Sequence, residues 1–483
     1  MRADPSGPGR RPTHLSTATA TDVGRRRETA IIAVLALSMV SYALVQSMSI
    51  PVIGAIADTY GTSEATATWV LTAYLVSAAV ATPMLGRLGD LVGPVRIMVL
   101  SLGLLAGGCF LAAVAPNIET MIAARAIQGA AGGVMPLAFG IVRDVLPADR
   151  VASRVGLLNG LIAVGMATGM VIAGPLLDAA GMGWLFVVPG VVTVVAGVAA
   201  HRVLDVAPRA GGAWVNPWSA LFLSGWLVLL MLAVTWAPRR GWTDPGVAGA
   251  FAGGLILVAA WIATDLRVKV PVIDMTVMRE RTVLVGNLAS LAAGFVAIGS
   301  YAYIPLWVQQ PAPVGFGATV GESGVMLLPA ALSTFVTGFI AVPLAVRFTE
   351  AKVVALGGAL AAAGMAVMVL WHEPWSVFVA CGAIGLGIGM TFACVSAAIV
   401  TVVPREQTGV VSGMNANLRT IGGAIGTGVL TSVVVAHADA TTGRSSEAGF
   451  VGAFVVLIGV ALACGVAGSM MRTGRAGGAR PRP

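Results

Sequence analysis

Fourteen apolar stretches, each long enough to cross a lipid bilayer, make up nearly the whole chain. A span needs roughly 20 apolar residues to cover a hydrocarbon core about 30 Å thick, and a helix satisfies its own backbone hydrogen bonds there. Only 10% of the residues are charged, against roughly 25% in soluble domains. The sequence therefore predicts an all-α polytopic membrane protein. The predicted spans are residues 29–54, 66–85, 97–114, 118–141, 155–177, 183–200, 218–236, 246–263, 283–306, 323–346, 353–371, 376–401, 410–435 and 450–471.

Positive charge gathers in alternate loops. If the N-terminus lies inside, the segments on that side contain 24 of the 29 Lys and Arg residues, whereas Arg239, Arg240 and Arg444 lie outside and Arg125 and Arg419 lie within spans. Short loops rich in Lys and Arg stay cytoplasmic, so we predict a multi-pass protein of the cell inner or plasma membrane with both termini in the cytoplasm. The net charge of +8 then reflects topology and an anionic inner leaflet and requires no nucleic-acid partner.

The two ends of the chain are its longest polar segments. Residues 1–27 and 472–483 are rich in Arg, Gly and Pro, which predicts disordered cytoplasmic tails. A cleaved signal peptide is the alternative for the N-terminus, but the first apolar run is longer than the roughly 7 to 15 residues of a signal core. All four cysteines fall inside spans, so we interpret them as small buried apolar groups and predict no disulfide, metal site or cofactor.

The chain also repeats itself. Residues 147–169 align without gaps on residues 404–426, with a proline and three glycines at identical spacing. This offset predicts a six-span bundle at 28–200, a second six-span bundle at 283–471, and a linker with two extra spans at 201–282. Paired bundles of this kind hold a substrate near the membrane midplane at their interface, and rocking exposes it to each side in turn. The repeat therefore indicates a transporter.

Three motifs carry a family resemblance. They are WVLTAYLVSAAVATPMLGRLGDLVGPVR at 69–96, RAIQGAAGGVMP at 125–136, and a glycine-rich fifth span that ends in Gly174 and Pro175. Together they resemble the major facilitator superfamily, in its drug:proton antiporter branch with fourteen spans, over residues 28–471. The resemblance implies alternating access, export of hydrophobic drugs or antibiotics driven by protons, and an antiporter motif at Gly174 and Pro175.

The first two motifs also supply candidates for gating and coupling. Arg87 and Asp90 lie in a cytoplasmic turn, where a carboxylate can accept hydrogen bonds from a helix N-terminus or from an arginine of the other bundle; the alternative is a loop that only sets topology. Arg125 should face protein or water, because a guanidinium in hydrocarbon costs about 2.5 to 3.5 kcal/mol. The resemblance places Arg125 near the cavity with Gln128 one turn on, and the alternative is a hydrogen-bond hub for backbone carbonyls.

Polar and aromatic side chains inside spans are candidates for the substrate cavity. Arg419 belongs to LRTIGGAIG in the thirteenth span, and Asn415 lies four residues earlier on the same helical face. Arg419 could instead snorkel to the cytoplasmic surface, and packing or contact with lipid remains an alternative for the aromatic residues. The other candidates are Tyr42, Gln46, Trp69, Tyr74, Asn159, Tyr301 and Tyr303.

Acidic residues are missing from the predicted membrane depth. All 21 Asp and Glu residues lie in tails, in loops or at span ends, and Tyr42 stands where the branch commonly has an acid, nine positions before Pro51. This absence disfavours a permanently cationic substrate, whereas Arg125 and Arg419 favour neutral or anionic compounds. The remaining candidates for a proton-carrying group are Asp58, Asp178 and Glu322 near the outer face and Asp90 near the inner face.

Three classes of function fit a polytopic protein. Export of hydrophobic drugs or antibiotics is the prediction, and proton-coupled uptake or exchange of a small metabolite by the same fold is the alternative. An integral membrane enzyme would need converging reactive side chains, which the spans do not offer, and a receptor is the remaining class. The predicted partners are a small hydrophobic substrate, protons and the lipid bilayer, and no oligomer is required.

Overall fold

A computed structural model of the protein describes residues 15–49, 52–62, 64–67, 69–204, 216–268, 271–437 and 446–471. Within these ranges every regular element is a helix, and the prediction of fourteen membrane spans is confirmed. We number them in chain order. They are Arg26–Met48, Trp69–Val92, Pro94–Ala113, Ile118–Val145, Ala148–Ala180, Trp184–Val203, Pro217–Ala237, Pro245–Asp265, Arg281–Val308, Gly321–Phe348, Glu350–Leu370, Pro374–Val402, Arg405–Ala436 and Glu447–Ser469.

Several helices extend beyond the apolar stretches that predicted them. The first helix, Leu15–Met48, begins inside the N-terminal segment that the composition predicts to be disordered. Residues 1–14 and the predicted tail at 472–483 lie outside the described residues. Span 2 continues to Val92, past predicted residue 85, because the helix runs on through charged residues that lower the local hydropathy. Two short helices, Ile53–Thr59 and Glu64–Ala67, lie between spans 1 and 2.

Span 4 consists of two helices, Ile118–Gly129 and Val134–Val145, with a turn between them. The turn falls in the sequence AAGG at 130–133, where small residues weaken the preference for a continuous helix. Hydropathy alone predicts one uninterrupted span here, since these small residues are not polar. The first helix of the pair carries Arg125 and Gln128.

Local sequence explains where the spans begin. Four of them have proline at the first helical position, where the missing N–H needs no partner. Span 4 is capped by Asn117, whose side chain accepts a hydrogen bond of 2.8 Å from the Thr120 N–H. Span 10 starts with a reciprocal capping box between Thr319 and Glu322.

The repeat seen in the sequence recurs as a repeat of packing within each half. A Cβ atom placed on Gly165 of span 5 would lie 3.0 Å from the Val40 carbonyl oxygen of span 1. One placed on the aligned Gly422 of span 13 would clash with the Leu291 carbonyl oxygen of span 9. Span 5 therefore packs on span 1 as span 13 packs on span 9.

The same two spans also contact the opposite half. Gly156 of span 5 packs against Gly338 of span 10, and the aligned Gly413 of span 13 packs against Thr82 of span 2. Spans 1–6 and spans 9–14 are thus related by equivalent contacts. Below, they are called the N-terminal half and the C-terminal half.

Spans 7 and 8 form an inserted pair beside the contact between span 2 and span 13. Span 7 packs against both of these spans as well as against span 8. The Trp226 and Trp261 rings stack with centroids 6.3 Å apart within the pair. Beyond span 7, Trp242 Nε1 donates a hydrogen bond of 2.8 Å to Ser432 Oγ of span 13. At the other end of the pair, the buried Asp265 carboxylate accepts hydrogen bonds from Ser219 Oγ and from the Ile273 N–H.

A close contact between spans 11 and 14 makes a prediction about stability. A Cβ atom on Gly358 would lie 2.5 Å from the Ala461 carbonyl oxygen and 2.6 Å from the Gly465 nitrogen, both of which are backbone atoms. We expect Gly358→Val to lower the unfolding temperature of the detergent-solubilised protein, since overpacking costs about 1–3 kcal/mol. Gly459→Val is the matched control, because no atom lies within 4 Å of its Cβ position. Equal unfolding temperatures for the two variants would contradict this packing.

Candidate functional site between the two halves

A cavity of about 200 Å³ lies between the two halves. Spans 1, 2, 4 and 5 line it from one side, and the equivalent spans 9, 10, 12 and 13 line it from the other. Most of its lining side chains are apolar. The polar ones are Tyr42, Gln46, Thr82, Asn159, Tyr301, Thr334, Asn417, Arg419 and Thr420.

Two equivalent threonines fasten the walls of this cavity. Thr82 Oγ1 lies 2.6 Å from the carbonyl oxygen of Ala78 and 3.1 Å from that of Gly132, which joins span 2 to span 4. In the C-terminal half, Thr334 Oγ1 bridges the carbonyl oxygens of spans 10 and 12 at 2.8 and 3.0 Å. Both hydroxyls are thus engaged within the protein, and they hold the walls in place.

Arg419 is the arginine at this cavity. Its Nη1 donates to Asn159 Oδ1 of the N-terminal half at 3.1 Å, and its Nη2 donates to Asn415 Oδ1 at 3.0 Å and to Ser396 Oγ. The guanidinium lies over the Phe392 ring, 4.4 Å from the ring centroid. Its Nε has no hydrogen-bond partner among the described residues. All these partners are neutral, so the positive charge is oriented without being balanced.

Five of the predicted cavity residues line the cavity and four do not. Tyr42, Gln46, Asn159, Tyr301 and Arg419 are brought together there from both halves. The structure places the other four outside the lining, in the positions described next.

The four residues outside the lining have other surroundings. Trp69 is 38% exposed at the start of span 2, and Tyr74 is buried against Arg125. The Tyr303 hydroxyl lies 2.5 Å from Thr431 Oγ1. Asn415 is turned away from the cavity, because its Nδ2 donates to Asn287 Oδ1 and Ser290 Oγ, each at 2.9 Å.

Arg125 lies inside the N-terminal half and does not line the cavity. It is fully buried. Its Nε donates to the Val70 carbonyl and its Nη1 to the Val45 carbonyl, both at 3.1 Å, while Nη1 also donates to Gln128 Oε1 at 2.6 Å. The guanidinium lies 4.5 Å from the Tyr74 ring centroid.

Tyr42 connects this buried arginine cluster with the cavity. The Tyr42 and Tyr74 ring centroids are 6.3 Å apart, and Tyr42 itself lines the cavity. Arg125 therefore acts as the hub for backbone carbonyls that the sequence offered as an alternative. The Tyr74 and Tyr42 rings also connect its guanidinium to the cavity, so the geometry permits both predicted roles.

The two halves meet at the end of the molecule where span 1 begins and span 14 ends. We call it the arginine-rich end. There the Asp90 carboxylate of span 2 accepts hydrogen bonds from the N–H groups of Gly409 at 3.3 Å and Val410 at 3.1 Å. These are first-turn groups of the helix Thr408–Ala436, which have no partner within their own helix. Asp90 thus caps a helix of the opposite half, where the helix dipole favours a negative charge.

Further contacts close the same end. A Cβ atom on Gly86 would lie 2.5 Å from the Gly409 carbonyl oxygen, so the two backbones touch. Arg143 Nη1 donates a hydrogen bond of 2.6 Å to Thr408 Oγ1. On the other side of the interface, Gly160 of span 5 packs against the Phe335 backbone of span 10. The halves are therefore closed at the arginine-rich end and enclose the cavity beyond it.

Asp274 lies beside this closure, in the loop that follows span 8. Burial would raise the pKa of its carboxyl, but hydrogen bonds from Thr276, Gln407 and the Val277 backbone outweigh burial and lower the pKa below its ordinary value. Gln407, which donates at 3.5 Å, belongs to the short helix Arg405–Gln407 that leads into span 13. Asp274 thus holds a negative charge next to the start of span 13.

Of the other predicted gating residues, Arg87 lies three residues before Asp90 on span 2, whereas Gly174 and Pro175 lie far from it. Arg87 is half-buried one turn before the end of span 2, and its Nε has no hydrogen-bond partner in the described part of the chain. Gly174 and Pro175 lie near the opposite end of span 5. No atom lies within 4 Å of a Cβ position on Gly174, and Pro175 is exposed. They contact neither the cavity nor the closed end.

The predicted acid candidates fall into two groups. Asp58, Asp178 and Glu322 are exposed, and Glu322 is engaged in the capping box of span 10. Asp90 is buried in the contact between the halves. Among the described residues that line the cavity, none is Asp or Glu.

Sequence reasoning missed three cavity features. Asn417 lines the cavity and donates from Nδ2 to the Ala79 carbonyl of span 2, which joins the two halves. The Phe392 ring makes a cation–π contact with the Arg419 guanidinium, and Met166 and Met170 form an apolar part of the lining. A signal existed for Asn417, since a second asparagine in a glycine-rich span marks a second polar helix face. No signal separated Phe392 or the methionines from ordinary packing residues.

Comparisons with known proteins agree with this geometry. Residues 35–427 match the family described as the Major Facilitator Superfamily. Among solved structures, that of the human organic anion transporter MFSD10 (TETRAN) superposes with a TM-score of 0.60 at 16% identity, over 90% of this chain and 99% of that one. At this identity the likeness shows the fold.

Similar curated proteins include three with names that refer to drugs or antibiotics. The multidrug transporter protein MdtP of Bacillus subtilis is 25% identical over 77% of this chain and 69% of its own length. The multidrug resistance protein B homolog of Mycobacterium tuberculosis is 28% identical over 85% and 76%, respectively. The tetracenomycin C resistance and export protein of Streptomyces glaucescens is 24% identical over 75% and 68%.

The contact of Asp90 with span 13 makes a prediction about conformation. Hydrogen bonds to a charged group contribute roughly 1.5–3 kcal/mol, and 1.4 kcal/mol is tenfold in an equilibrium. We expect Asp90→Ala to lower the ratio of closed to open molecules at the arginine-rich end about tenfold or more. Double electron–electron resonance between spin labels at the exposed positions 149 and 347 would detect the opening as a longer distance between the two labels.

The matched control for this experiment is Glu119→Ala. Glu119 is an exposed acid in the first turn of span 4, at the opposite end of the molecule. The Glu119→Ala substitution should leave the distribution of distances between the labels unchanged. If Asp90→Ala gave the same distribution as Glu119→Ala, Asp90 would have no role in holding the halves together.

Proposed function

Because this chain belongs to the Major Facilitator Superfamily, we propose that it is a secondary active transporter that exports hydrophobic drugs or antibiotics by alternating access. The observation that carries the proposal is a cavity between two equivalent halves that touch at one end of the molecule. The names of the similar proteins, which refer to multidrug transport, resistance and export, support the direction and the class of substrate.

The orientation of the protein belongs to the same proposal. The arginine-rich end would face the cytoplasm, since positive loops remain there, and both termini would be cytoplasmic. The cavity described above then belongs to a state that is closed toward the cytoplasm. We further propose that residues 28–200 and 283–471 move as two bundles and that residues 201–282 connect them, as the equivalent glycine contacts of spans 5 and 13 suggest.

Exchange between the two states requires the cytoplasmic closure to break. Opening would separate Asp90 from the first turn of span 13 and Gly86 from Gly409, while the halves approach each other at the outer end. The threonine bridges of Thr82 and Thr334 lie within single halves, so they would persist and keep each wall rigid. A moving interface with two rigid walls is what a rocking transporter needs.

Proton antiport would use a group whose protonation favours opening toward the cytoplasm. Of the four acid candidates, Asp90 contacts the opposite half in the described structure. Protonation would remove the charge that caps span 13 and so weaken the closure. Arg125 would act at a separate position, as the hub that sets the electrostatic environment of Tyr42 and Tyr74.

The alternative is uptake or exchange of a small metabolite by the same fold. Nothing in the cavity geometry distinguishes export from uptake, because alternating access runs in either direction. We infer no catalytic activity, and we propose that one chain suffices, since a single chain supplies both walls of the cavity. Small molecules, protons and lipid are the proposed partners.

Accumulation of a hydrophobic dye tests the direction of transport. Cells that express the protein should accumulate less Nile red than cells with an empty vector. Collapse of the proton gradient with a protonophore should raise accumulation in the expressing cells to the level of the control, because export then loses its driving force. A fall in accumulation upon collapse would instead establish uptake and reject the proposed direction.

Arg125 provides a test of coupling. We expect Arg125→Ala to abolish gradient-driven transport while the protein remains in the membrane, because the change leaves Gln128 Oε1 and two carbonyls without their donor. Counterflow, in which labelled and unlabelled substrate exchange without a gradient, should persist if Arg125 serves coupling. Arg267→Ala, which alters an exposed loop residue, is the control. Near-normal gradient-driven transport by Arg125→Ala would remove Arg125 from the mechanism.

A further inference from the structure

Arg125 and Arg419 have different surroundings, and the difference bears on the chemistry of the cargo. Arg125 lies deep inside one half, where its Nε and Nη1 donate to two carbonyls and a glutamine and its Nη2 has no partner among the described residues. Arg419 reaches the cavity itself. A cargo molecule in the cavity therefore meets one guanidinium, and it meets that guanidinium directly.

The charge of Arg419 is held but not neutralised. Its three hydrogen-bond partners are the amide oxygens of Asn159 and Asn415 and the hydroxyl of Ser396, and the lining residues described include no carboxylate. Arginine carries five N–H donors and remains protonated in proteins. Arg419 therefore brings an unneutralised positive charge to the cavity lining, while its buried Nε has no partner among the described residues.

The rest of the lining is suited to an apolar body. Met135, Met166, Met170 and Leu327 face the same space, and thioether side chains adapt to varied shapes. A polyanion such as a nucleotide would need several cations, whereas Arg419 is the one charged residue among the described lining residues. The cavity thus combines one positive charge with a broad apolar surface.

We propose that the preferred cargo is an amphiphilic organic anion, whose single carboxylate or similar oxyanion binds Arg419 while its apolar body lies against the methionines. The proposal rests on the transport function proposed above and specifies its substrate class. An oxyanion accepts two parallel hydrogen bonds from a guanidinium, which are stronger than those of neutral amide acceptors.

Binding of such an anion would also act on the contact between the halves. The bond from Arg419 Nη1 to Asn159 Oδ1 joins span 13 to span 5 across the interface. An anion that takes Nη1 replaces this bond and transfers the guanidinium from a neutral partner in the opposite half to the cargo. Occupancy of the cavity is in this way linked to the strength of the contact between the halves.

Three compounds with one skeleton test the proposal. They are 1-pyrenebutyric acid, its methyl ester and 1-pyrenebutylamine, which differ in charge and share an apolar body. Their binding to the detergent-solubilised full chain would be measured by energy transfer from tryptophan to pyrene. Their transport would be measured in proteoliposomes. The wild type should bind the acid at least tenfold more tightly than the amine.

Substitutions at Arg419 separate charge recognition from general packing. Arg419→Gln should weaken binding of the acid about tenfold or more and leave the ester unchanged. Arg419→Lys should bind the acid with an affinity between those of the wild type and Arg419→Gln, because an ammonium keeps the charge but loses the bidentate geometry. Arg267→Gln, at an exposed arginine outside the cavity, should bind all three compounds like the wild type.

The outcomes distinguish this proposal from the proposed function. Tighter binding of the amine than of the acid, or unchanged binding of the acid by Arg419→Gln, overturns the anion proposal, and export stands if the ester or amine is transported. Arg419-dependent binding of the acid without transport of any compound supports anion recognition and counts against export. If Arg419→Gln does not fold, the order acid, ester and amine in the wild type and the Arg419→Lys affinity decide the matter.

Discussion

Close approach of helix backbones is the constraint on which the rest of this structure depends. Helices in a bilayer gain little by hiding apolar surface from lipid, so packing contacts at small residues hold them together. Gly358 and Gly465 bring spans 11 and 14 into backbone contact, and Gly86 and Gly409 do so across the two halves. The first pair is internal to one half and permanent. The second joins the two halves, and it would separate in the proposed alternating access.

Buried polar groups then decide which contacts are permanent and which can exchange. Arg125 donates only to groups of its own half, so these hydrogen bonds offset part of the free-energy cost of burying its charge without involving the other half. Asp90 and Arg143 bind groups of the opposite half. In the proposed mechanism these contacts would break when the halves separate, and water at the arginine-rich end would replace them. Near the surface, breaking polar contacts between the halves therefore costs less free energy, because opening admits water to the separated groups.

Hydropathy and charge predicted the number of spans, the two extra central spans and the concentration of arginine at one end, because these depend only on the bilayer. Within the spans, the sequence did not predict which polar side chains line the cavity. Asn415 and Asn417 are two residues apart, yet one binds Asn287 inside the C-terminal half and the other lines the cavity. The side of a helix that faces the cavity depends on helix rotation, which tertiary packing sets. For the same reason the sequence could not tell that Arg419 lines the cavity while Arg125 does not.

The charge of the cavity has a consequence for the energetics of transport. A cationic drug must be expelled against a membrane potential that is negative inside, so its exporter requires a coupled ion and a group that carries it. An anionic cargo moves with that potential and gains about 2.3 kcal/mol per charge for every 100 mV. A transporter for such a cargo can export it without a carboxylate in the cavity. The neutral surroundings of Arg419 and the placement of Asp90 at the closure, outside the cavity lining, fit this division of roles. In that arrangement the cargo itself carries the charge that drives its exit, and protonation acts on the closure between the halves.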